Sequence, residues 1–268
     1  MIFDGTERAK ALTELLRVRR DGRTVTLALI ASAPNFATTK YLAIKERVAA
    51  DIGVTILRVE LPGSATTDEV LSAMEDVSAR ADGMVLQLPF PPTIDLARLL
   101  EALPREKDVD VLGSAAQDAF RDGVGLLPPV VGAIDDIAET AGIAFAGKRV
   151  VVVGNGRLVG APAALYARRA GADVVVLTKR DTDISHIVRG ADILILGAGV
   201  PGLITPSMCK EGVVIFDAGT SEDAGKLVGD ADPACAVHAT LMTPVPGGIG
   251  PVAVVKLFEN LLTHALPS

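Results

Sequence analysis

Short runs of β-branched residues alternate along this chain with longer stretches whose apolar residues recur at helical spacing. A strand followed by a helix, repeated, builds βαβ units whose strands lie parallel in a sheet. The predicted strands are Thr24–Ile30, Val54–Val59, Met84–Leu88, Val150–Val153, Val174–Leu177, Ile193–Leu196 and Val213–Phe216. The predicted helices between them are Thr38–Asp51, Thr67–Ala79, Leu96–Leu103, Gly132–Thr140 and Val159–Arg169. The fold class is therefore α/β with mostly parallel sheets.

The composition fits buried parallel sheets. Hydrophobic residues make up 49% of the 268 residues and aromatic residues only 3%, so the cores are built from Ala, Val, Leu and Ile. The net charge of −7 argues against nucleic acid or an anionic membrane as the main partner. The sequence has no apolar run of transmembrane length and no signal-peptide pattern at its start, so we expect a cytoplasmic location.

No metal site is expected from the metal-ligating residue types. His186, His238 and His264 are scattered and fit no ligand spacing. Cys209 and Cys235 are too few for a disulfide framework or a metal cluster, and we interpret them as core residues.

The Gly- and Pro-rich segment 123–131 indicates a domain boundary, because the series of strands and helices restarts after it. We predict one α/β domain before about residue 125 and a second one from about residue 126. A last helix, roughly Gly250–Leu266, follows another Pro- and Gly-rich turn. The pattern alone does not assign this helix to either domain.

The segment Arg149–Gly160 combines a strand, a glycine turn and the start of a helix. Gly154 and Gly156 allow a tight turn that brings backbone amides and the helix N-terminus against a pyrophosphate. The spacing is one residue longer than the commonest dinucleotide fingerprint, and a βα turn without any ligand is the alternative. Because the turn follows a buried strand and opens a helix, dinucleotide binding is favoured.

Two cations follow the next predicted strand. Lys179 and Arg180 stand where an NAD site has an acidic residue for the ribose 2′-hydroxyl. Cationic side chains suit a 2′-phosphate instead, although an ordinary solvated basic turn is the alternative. Together with the glycine turn, they favour NADP over NAD.

A second group of residues points to acid–base chemistry. Tyr41 and Lys45 are four residues apart on one predicted helix and so share a face. A tyrosine can stack on a flat ligand and a lysine of lowered pKa can transfer protons, but a surface lysine beside a tyrosine is the alternative. Gln87 follows a buried strand, and the segment 107–110 sets two carboxylates before a loop. The segment 243–251, TPVPGGIGP, is too rigid and too rich in glycine to be an ordinary interdomain linker.

These segments resemble the bifunctional methylenetetrahydrofolate dehydrogenase/methenyltetrahydrofolate cyclohydrolase family over nearly the whole chain. The matching motifs are IFDG at 2–5, Tyr41-x-x-x-Lys45, QLPxP at 87–91, EKDVD at 106–110, VVGNGRLVGAP at 152–162, DxG at 217–219, VGD at 228–230 and TPVPGGIGP. The resemblance implies a catalytic domain over residues 1–125 plus 250–268, with the last helix returning to it. It implies a Rossmann-type NADP-binding domain over 126–249, tetrahydrofolate substrates, and a homodimer.

The resemblance also implies roles for single residues. Lys45 is implied as the acid–base group of both reactions, with Gln87 tuning it, Tyr41 stacking on the aminobenzoyl ring and Asp110 anchoring the pterin. The implied wall near nicotinamide and folate is Pro246, Gly247 and Gly248. The cofactor-binding residues are predicted as Gly154, Asn155, Gly156, Arg157, Lys179, Arg180 and Gly219.

The sequence departs from the family pattern at several loops. Val111 replaces the glycine that follows the Asp pair, and Asn155-Gly156 replaces Arg-Ser in the glycine turn. Two alternatives are considered: another two-domain NADP dehydrogenase of the shikimate-reducing kind, and a dinucleotide-binding protein without activity. The first has no use for QLPxP or TPVPGG. The retained Lys45, Gln87 and Asp110 argue against the second, while the altered loops of the Rossmann domain argue for it.

Overall fold

The computed structural model describes residues 1–34, 36–223 and 226–266. The chain forms two compact units, each with its own parallel sheet. The three-strand unit comprises Lys10–Pro129 and the chain from Val254 onward, and the five-strand unit comprises Met1–Ala9 and Val130–Ala253. The predicted α/β class is confirmed.

In chain order, the elements that precede Pro129 are α1 (Gly5–Arg20), β1 (Thr26–Ser32), α2 (Phe36–Ile52), β2 (Thr55–Leu61), α3 (Thr67–Ser78), β3 (Gly83–Leu86), α4 (Leu96–Ala102) and α5 (Ser114–Arg121). Those that follow are α6 (Pro129–Ala141), β4 (Arg149–Val153), α7 (Gly160–Arg169), β5 (Asp173–Leu177), α8 (Ser185–Arg189), β6 (Ile193–Leu196), β7 (Val213–Asp217), β8 (Ser221–Asp223), β9 (Lys226–Val228), β10 (Ala239–Met242) and α9 (Ile249–Ala265). Short 3₁₀ turns lie at Pro206–Met208 and Pro233–Val237. None of these described helices is long and apolar enough to cross a membrane.

The three-strand unit has the strand order β2-β1-β3, all parallel. The central strand β1 is buried almost throughout, which explains its unbroken apolar sequence. Because β2 and β3 lie on opposite sides of β1, the chain goes from β1 to β2 on one side and then crosses β1 to reach β3 on the other. Such a reversal opens a crevice at the carboxyl ends of the strands, where α/β sheets bind their ligands. The segments that begin α2 and follow β3 meet there.

The five-strand unit has the order β10-β7-β6-β4-β5, also parallel. Counted along the chain from β4, this is the order 2-1-3-4-5, rather than the 3-2-1-4-5-6 order of six-stranded dinucleotide folds. The rule for the ligand crevice is the same, and it places the crevice beyond the ends of β4 and β6. The glycine turn follows β4.

The N-terminal residues group differently from the predicted domain over 1–125. The backbone amide of Phe3 donates to Met242 O at 2.9 Å, and Met242 N donates to Met1 O at 2.9 Å. Ile2 thereby forms a parallel bridge with Met242 on the open edge of β10. These bonds place Met1–Ala9 in the five-strand unit.

The last helix returns to the first domain, as the resemblance implies. Leu261 of α9 packs on β3 so closely that a Cβ added to Gly83 would lie 2.8 Å from Leu261 Cδ1. Arg19 of α1 donates to Thr263 Oγ1 at 3.2 Å. The burial of one apolar face of α9 against this unit accounts for its return.

Candidate active site

Lys45 and Gln87 meet at the crevice of the three-strand unit. Lys45, on α2, is buried, and its Nζ donates to Gln87 Oε1 at 2.8 Å. The orientation of the Gln87 amide is set by Nε2, which donates to Leu88 O at 3.2 Å. The backbone amide of Gln87 donates to Ile30 O at 2.8 Å and so ties the residue to β1. The structure brings together the lysine and the amide that the sequence analysis selected.

Asp110 is the third member of this group, and its charge interacts with that of Lys45. Burial lowers the pKa of Lys45, and the Asp110 charge opposes that shift. Burial raises the pKa of Asp110, and the Lys45 charge opposes that shift in turn. The pocket therefore favours the uncharged form of Lys45 more than water does, and an uncharged amine can accept a proton.

The side chains of Asp108 and of Gln117 on α5 hold the loop that carries Asp110. Asp108 is completely buried, and its Oδ2 accepts from Gly113 N at 2.7 Å, while its Oδ1 has no hydrogen-bond partner within the described residues. Burial raises the pKa of Asp108 to about 6. Val111 adopts a φ of 54°, and the side-chain amide of Gln117 donates to its carbonyl oxygen. Glycine adopts this left-handed conformation without strain, so the position suits the glycine that the resemblance leads us to expect there.

Tyr41 lies one turn before Lys45 on α2 and is half-buried. Within the described part of the chain, no hydrogen bond fixes its hydroxyl. Stacking on a substrate ring stays a prediction.

The three glycines of the turn after β4 serve two different purposes. Gly154 has a φ of 101°, and a Cβ there would lie 2.4 Å from Gly197 O. A Cβ on Gly160 would lie 2.0 Å from Gly154 O. Gly156, by contrast, would meet nothing within 4 Å. Packing within the chain requires the outer two glycines, while Gly156 leaves the turn open beside the exposed Asn155 and Arg157.

The cations after β5 are accessible. Lys179 and Arg180 are exposed, and neither side chain forms an ion pair with the residues that the structure describes. The neighbouring Asp181 turns away from them, since its Oδ2 accepts from Thr178 N at 2.7 Å and from Thr178 Oγ1 at 3.0 Å. An anionic group could therefore approach the two cations without displacing a carboxylate.

Asp230 has a role that the sequence analysis missed. Its carboxylate accepts from the amides of Ala198 at 2.6 Å, Gly199 at 3.1 Å and Val200 at 2.8 Å, directly after β6. A Cβ on Gly219 would lie 2.2 Å from Asp230 Cγ. Gly219, predicted to bind cofactor, is thus required by the close approach of this carboxylate. The motifs DxG and VGD carried the signal, but nothing in the sequence pairs them.

Asp217 supports the same loops. Its carboxylate accepts from the amides of Gly219 at 2.9 Å, Asp230 at 3.2 Å and Ala231 at 2.9 Å. Burial raises the pKa of Asp217 to about 6. Thr243 Oγ1 accepts from Asp217 N at 2.8 Å, which links this network to the start of TPVPGG.

The TPVPGG turn is shaped by close backbone contacts. Pro246 follows a cis peptide bond, and Gly247 has a φ of 101°. A Cβ on Gly248 would lie 2.5 Å from Pro244 O, and one on Gly5 would lie 1.8 Å from Gly248 O. The IFDG motif therefore supplies the glycine against which this turn packs.

The predicted site residues fall into two groups. Tyr41, Lys45, Gln87 and Asp110 belong to the three-strand unit, and the structure brings the last three together. The cofactor residues belong to the five-strand unit, as do Pro246, Gly247 and Gly248. Among the described residues, no group of three or more His, Cys, Asp or Glu side chains could hold a metal ion.

Comparison with known proteins identifies the family. Residues 3–110 match the catalytic domain of tetrahydrofolate dehydrogenase/cyclohydrolase, and residues 110–267 match its NAD(P)-binding domain. The bifunctional protein FolD of Heliobacterium modesticaldum is 35% identical over 95% of this chain and 91% of its own length.

Solved structures agree over the whole length. The FolD methylenetetrahydrofolate dehydrogenase/cyclohydrolase of Campylobacter jejuni superposes with a TM-score of 0.95 at 30% identity, covering 99% of this chain and 98% of that one. The Trypanosoma brucei enzyme, solved with NADP and an inhibitor, gives 0.93 at 31% identity, covering 100% and 99%. Shikimate dehydrogenase of Aquifex aeolicus, at 11% identity and a TM-score of 0.55, shares the fold alone. The chain belongs to the tetrahydrofolate dehydrogenase/cyclohydrolase family.

Proposed function

We propose that this protein oxidises 5,10-methylenetetrahydrofolate with NADP and hydrolyses the resulting 5,10-methenyltetrahydrofolate to 10-formyltetrahydrofolate. The observation that carries the proposal is the buried Lys45 bonded to Gln87 beside Asp110. Both family domains are present, and relatives that span the chain are named bifunctional. The catalytic domain is proposed to comprise residues 1–125 and 250–268, and the NADP-binding domain residues 126–249.

Lys45 does the proton chemistry in this proposal. Bound NADP supplies the acceptor for the hydride that leaves the methylene carbon. Water then adds to the methenyl carbon, and uncharged Lys45 accepts the proton that the added water loses. The resulting ammonium returns a proton to the ring nitrogen as the carbon–nitrogen bond breaks, and the hydroxyl proton on the same carbon is released to solvent as the formyl C=O forms. Gln87 Oε1, which accepts from Nζ, keeps the amine directed through both transfers.

Asp110 and Tyr41 are proposed to hold the substrate. A carboxylate accepts hydrogen bonds from the amino and ring N–H groups of a pterin, and it favours the cationic product of hydride loss. Tyr41 presents an aromatic face one helical turn from Lys45, at the distance where neighbouring side chains share a ligand. Pro246, Gly247 and Gly248 are proposed to line the wall near the nicotinamide.

The five-strand unit fits NADP. The open space at Gly156 leaves the turn after β4 accessible to a pyrophosphate, with Gly154, Asn155 and Arg157 around it. Lys179 and Arg180 are free to pair with the 2′-phosphate. Gly219 is proposed to keep the adjoining loop close to Asp230. A homodimer and a cytoplasmic location complete the proposal and are supported by the family resemblance.

The test is the Lys45→Met variant. With methenyltetrahydrofolate as substrate, the hydrolysis rate should fall by about 10²–10⁴-fold, the range for losing a positioned acid–base group. Lys40→Met is the matched control, because Lys40 is exposed on the same helix, and it should retain the rate of the unmodified protein. Full hydrolysis by Lys45→Met would refute the assigned role. Absence of methenyl absorbance with methylenetetrahydrofolate and either NADP or NAD would refute the dehydrogenase.

A further inference from the structure

The last helix makes a direct connection to the loop that carries Asp110. Asn260 of α9 is 8% exposed, and its Nδ2 donates to Val109 O at 2.9 Å and to Leu127 O at 2.9 Å. Val109 immediately precedes Asp110. One amide nitrogen thus uses both of its protons on the carbonyl groups of two separate segments.

The loop needs such a restraint because its conformation is costly. Val111 has a φ of 54°, which is rare for a β-branched residue and persists only where surrounding contacts enforce it. Two further side chains restrain the loop: Asp108 accepts from Gly113 N at 2.7 Å, and Gln117 donates to Val111 O. The bond that Asp108 accepts closes the loop upon itself, whereas the bond from Gln117 ties the loop to α5. Met84 N of β3 donates to Lys107 O at 2.7 Å and anchors the start of the loop. Asn260 ties the residue next to Asp110 to α9, 151 residues away along the chain.

We propose that Asn260 is a positioning residue that holds Asp110 beside Lys45, so that the C-terminal helix forms part of the active site. The proposal rests on the proposed function for its kinetic consequences but not for its geometry. Asn260 fixes the carbonyl of Val109, and the next residue along the chain is the carboxylate whose charge opposes the loss of charge on Lys45. If the bond is lost, the loop can relax from the strained conformation and carry Asp110 away.

Two readouts distinguish positioning from a merely structural role. Asp110 raises the pKa of Lys45 against the effect of burial, so moving Asp110 away lowers that pKa. Uncharged Lys45 is the reactive form, so the acid limb of kcat/KM for methenyltetrahydrofolate hydrolysis shifts to lower pH. The KM for the folate should rise, by about tenfold for a displaced substrate anchor, while the KM for NADP stays constant.

The experiment compares Asn260→Leu, which keeps the volume and loses both donors, with Asn260→Gln, which keeps an amide donor. Thr263→Val is the matched control, because Thr263 lies on the same helix and, within the described part of the chain, bonds Arg19 and its own helix. Asn260→Leu should show the shifted acid limb and the higher folate KM, and Asn260→Gln should recover part of both. Thr263→Val should show neither. A drop in melting temperature without a change in acid limb or folate KM would overturn the proposal.

Hydrogen exchange of residues 107–113 separates this proposal from the proposed function. The backbone amides there should exchange faster in Asn260→Leu and Asn260→Gln, more so in the former, and at the original rate in Thr263→Val. Unchanged exchange in Asn260→Leu would overturn the positioning role whatever the activity. If the unmodified protein lacks both folate activities, the proposed function fails, and the exchange rates alone decide whether Asn260 holds the loop.

Discussion

Lys45 Nζ and Gln87 Oε1 lie 2.8 Å apart, although Lys45 is on the helix that follows β1 and Gln87 is on the loop that follows β3. The contact exists because β1 and β3 are neighbours, so the helix that follows one and the loop that follows the other meet at the same edge. Gln87 Oε1 accepts a hydrogen bond from the Lys45 amine, and Gln87 Nε2 donates one to Leu88 O. This arrangement makes the charge state of Lys45 depend on what stands at position 87.

Replacing Gln87 should move the acid limb of hydrolysis in opposite directions for two substitutions. Gln87→Glu places a negative charge against Nζ and stabilises the ammonium, which raises the pKa of Lys45 and shifts the limb to higher pH. Gln87→Met removes the acceptor and destabilises the ammonium, which shifts the limb to lower pH. The measurement is the pH profile of kcat/KM for methenyltetrahydrofolate. Shifts of the same sign in both variants would contradict the coupling.

The part of the site closest to the sheet could be predicted from sequence. Lys45 shares a helix face with Tyr41, and Gln87 follows a buried strand, so periodicity and the rule for strand ends were sufficient. The family resemblance and the α/β class are confirmed. Helices α1 and α5 were not predicted. Exposed Leu15 and Val18 blur the apolar stripe of α1, and α5 has only 8 residues.

The long-range contacts could not be predicted from sequence. Asp230 accepts three amides that lie about 30 residues earlier in the chain, and Asn260 bonds Val109 across 151 residues. Neither pairing has a local signal, because an Asp or Asn looks the same whether it faces water or a buried amide. Gly5 and Gly248 likewise belong to separate motifs, and only the folded chain shows that one packs on the other.

Asp108→Asn should remove part of the pH dependence of stability. The folded pKa of about 6 exceeds the ordinary 3.8, so the folded state binds the proton more tightly, and this group favours folding increasingly as the pH falls toward 3.8. Between pH 7.5 and pH 5 the effect amounts to about 1 kcal/mol. Asparagine can still accept from Gly113 N but does not titrate. The gain in the free energy of unfolding on acidification should therefore be about 1 kcal/mol smaller in the variant.

Urea unfolding at the two pH values measures this difference. Asp51→Asn is the control, because it makes the same substitution at an exposed carboxylate near the end of α2. An identical pH dependence in Asp108→Asn and the unmodified protein would show that burial does not perturb this carboxyl.

Val111→Gly should cost much less stability than an equivalent change at Val109. Both side chains are buried, but only Val111 has a positive φ, so glycine relieves strain of about 1–3 kcal/mol at that position. This relief offsets most of the lost side-chain burial, of about 1.5–3 kcal/mol. Val109→Gly gains no such relief and leaves a cavity beside Gly83. Chemical denaturation of the two variants checks the order, and an equal loss in both would show that Val111 is not strained.

Lys179 and Arg180 should determine the preference for NADP over NAD. Replacing both with Ala removes two exposed cations that no residue in the described part of the chain pairs with, so no internal contact is lost. The KM for NADP should rise by about tenfold or more, the loss expected for charge-assisted bonds of about 1.5–3 kcal/mol, while the KM for NAD stays nearly constant. Arg168→Ala is the control, because Arg168 is an exposed cation in the last turn of α7. If the KM values for NADP and NAD rose equally in the double variant, the two cations would bind the pyrophosphate or stabilise the fold rather than bind the 2′-phosphate.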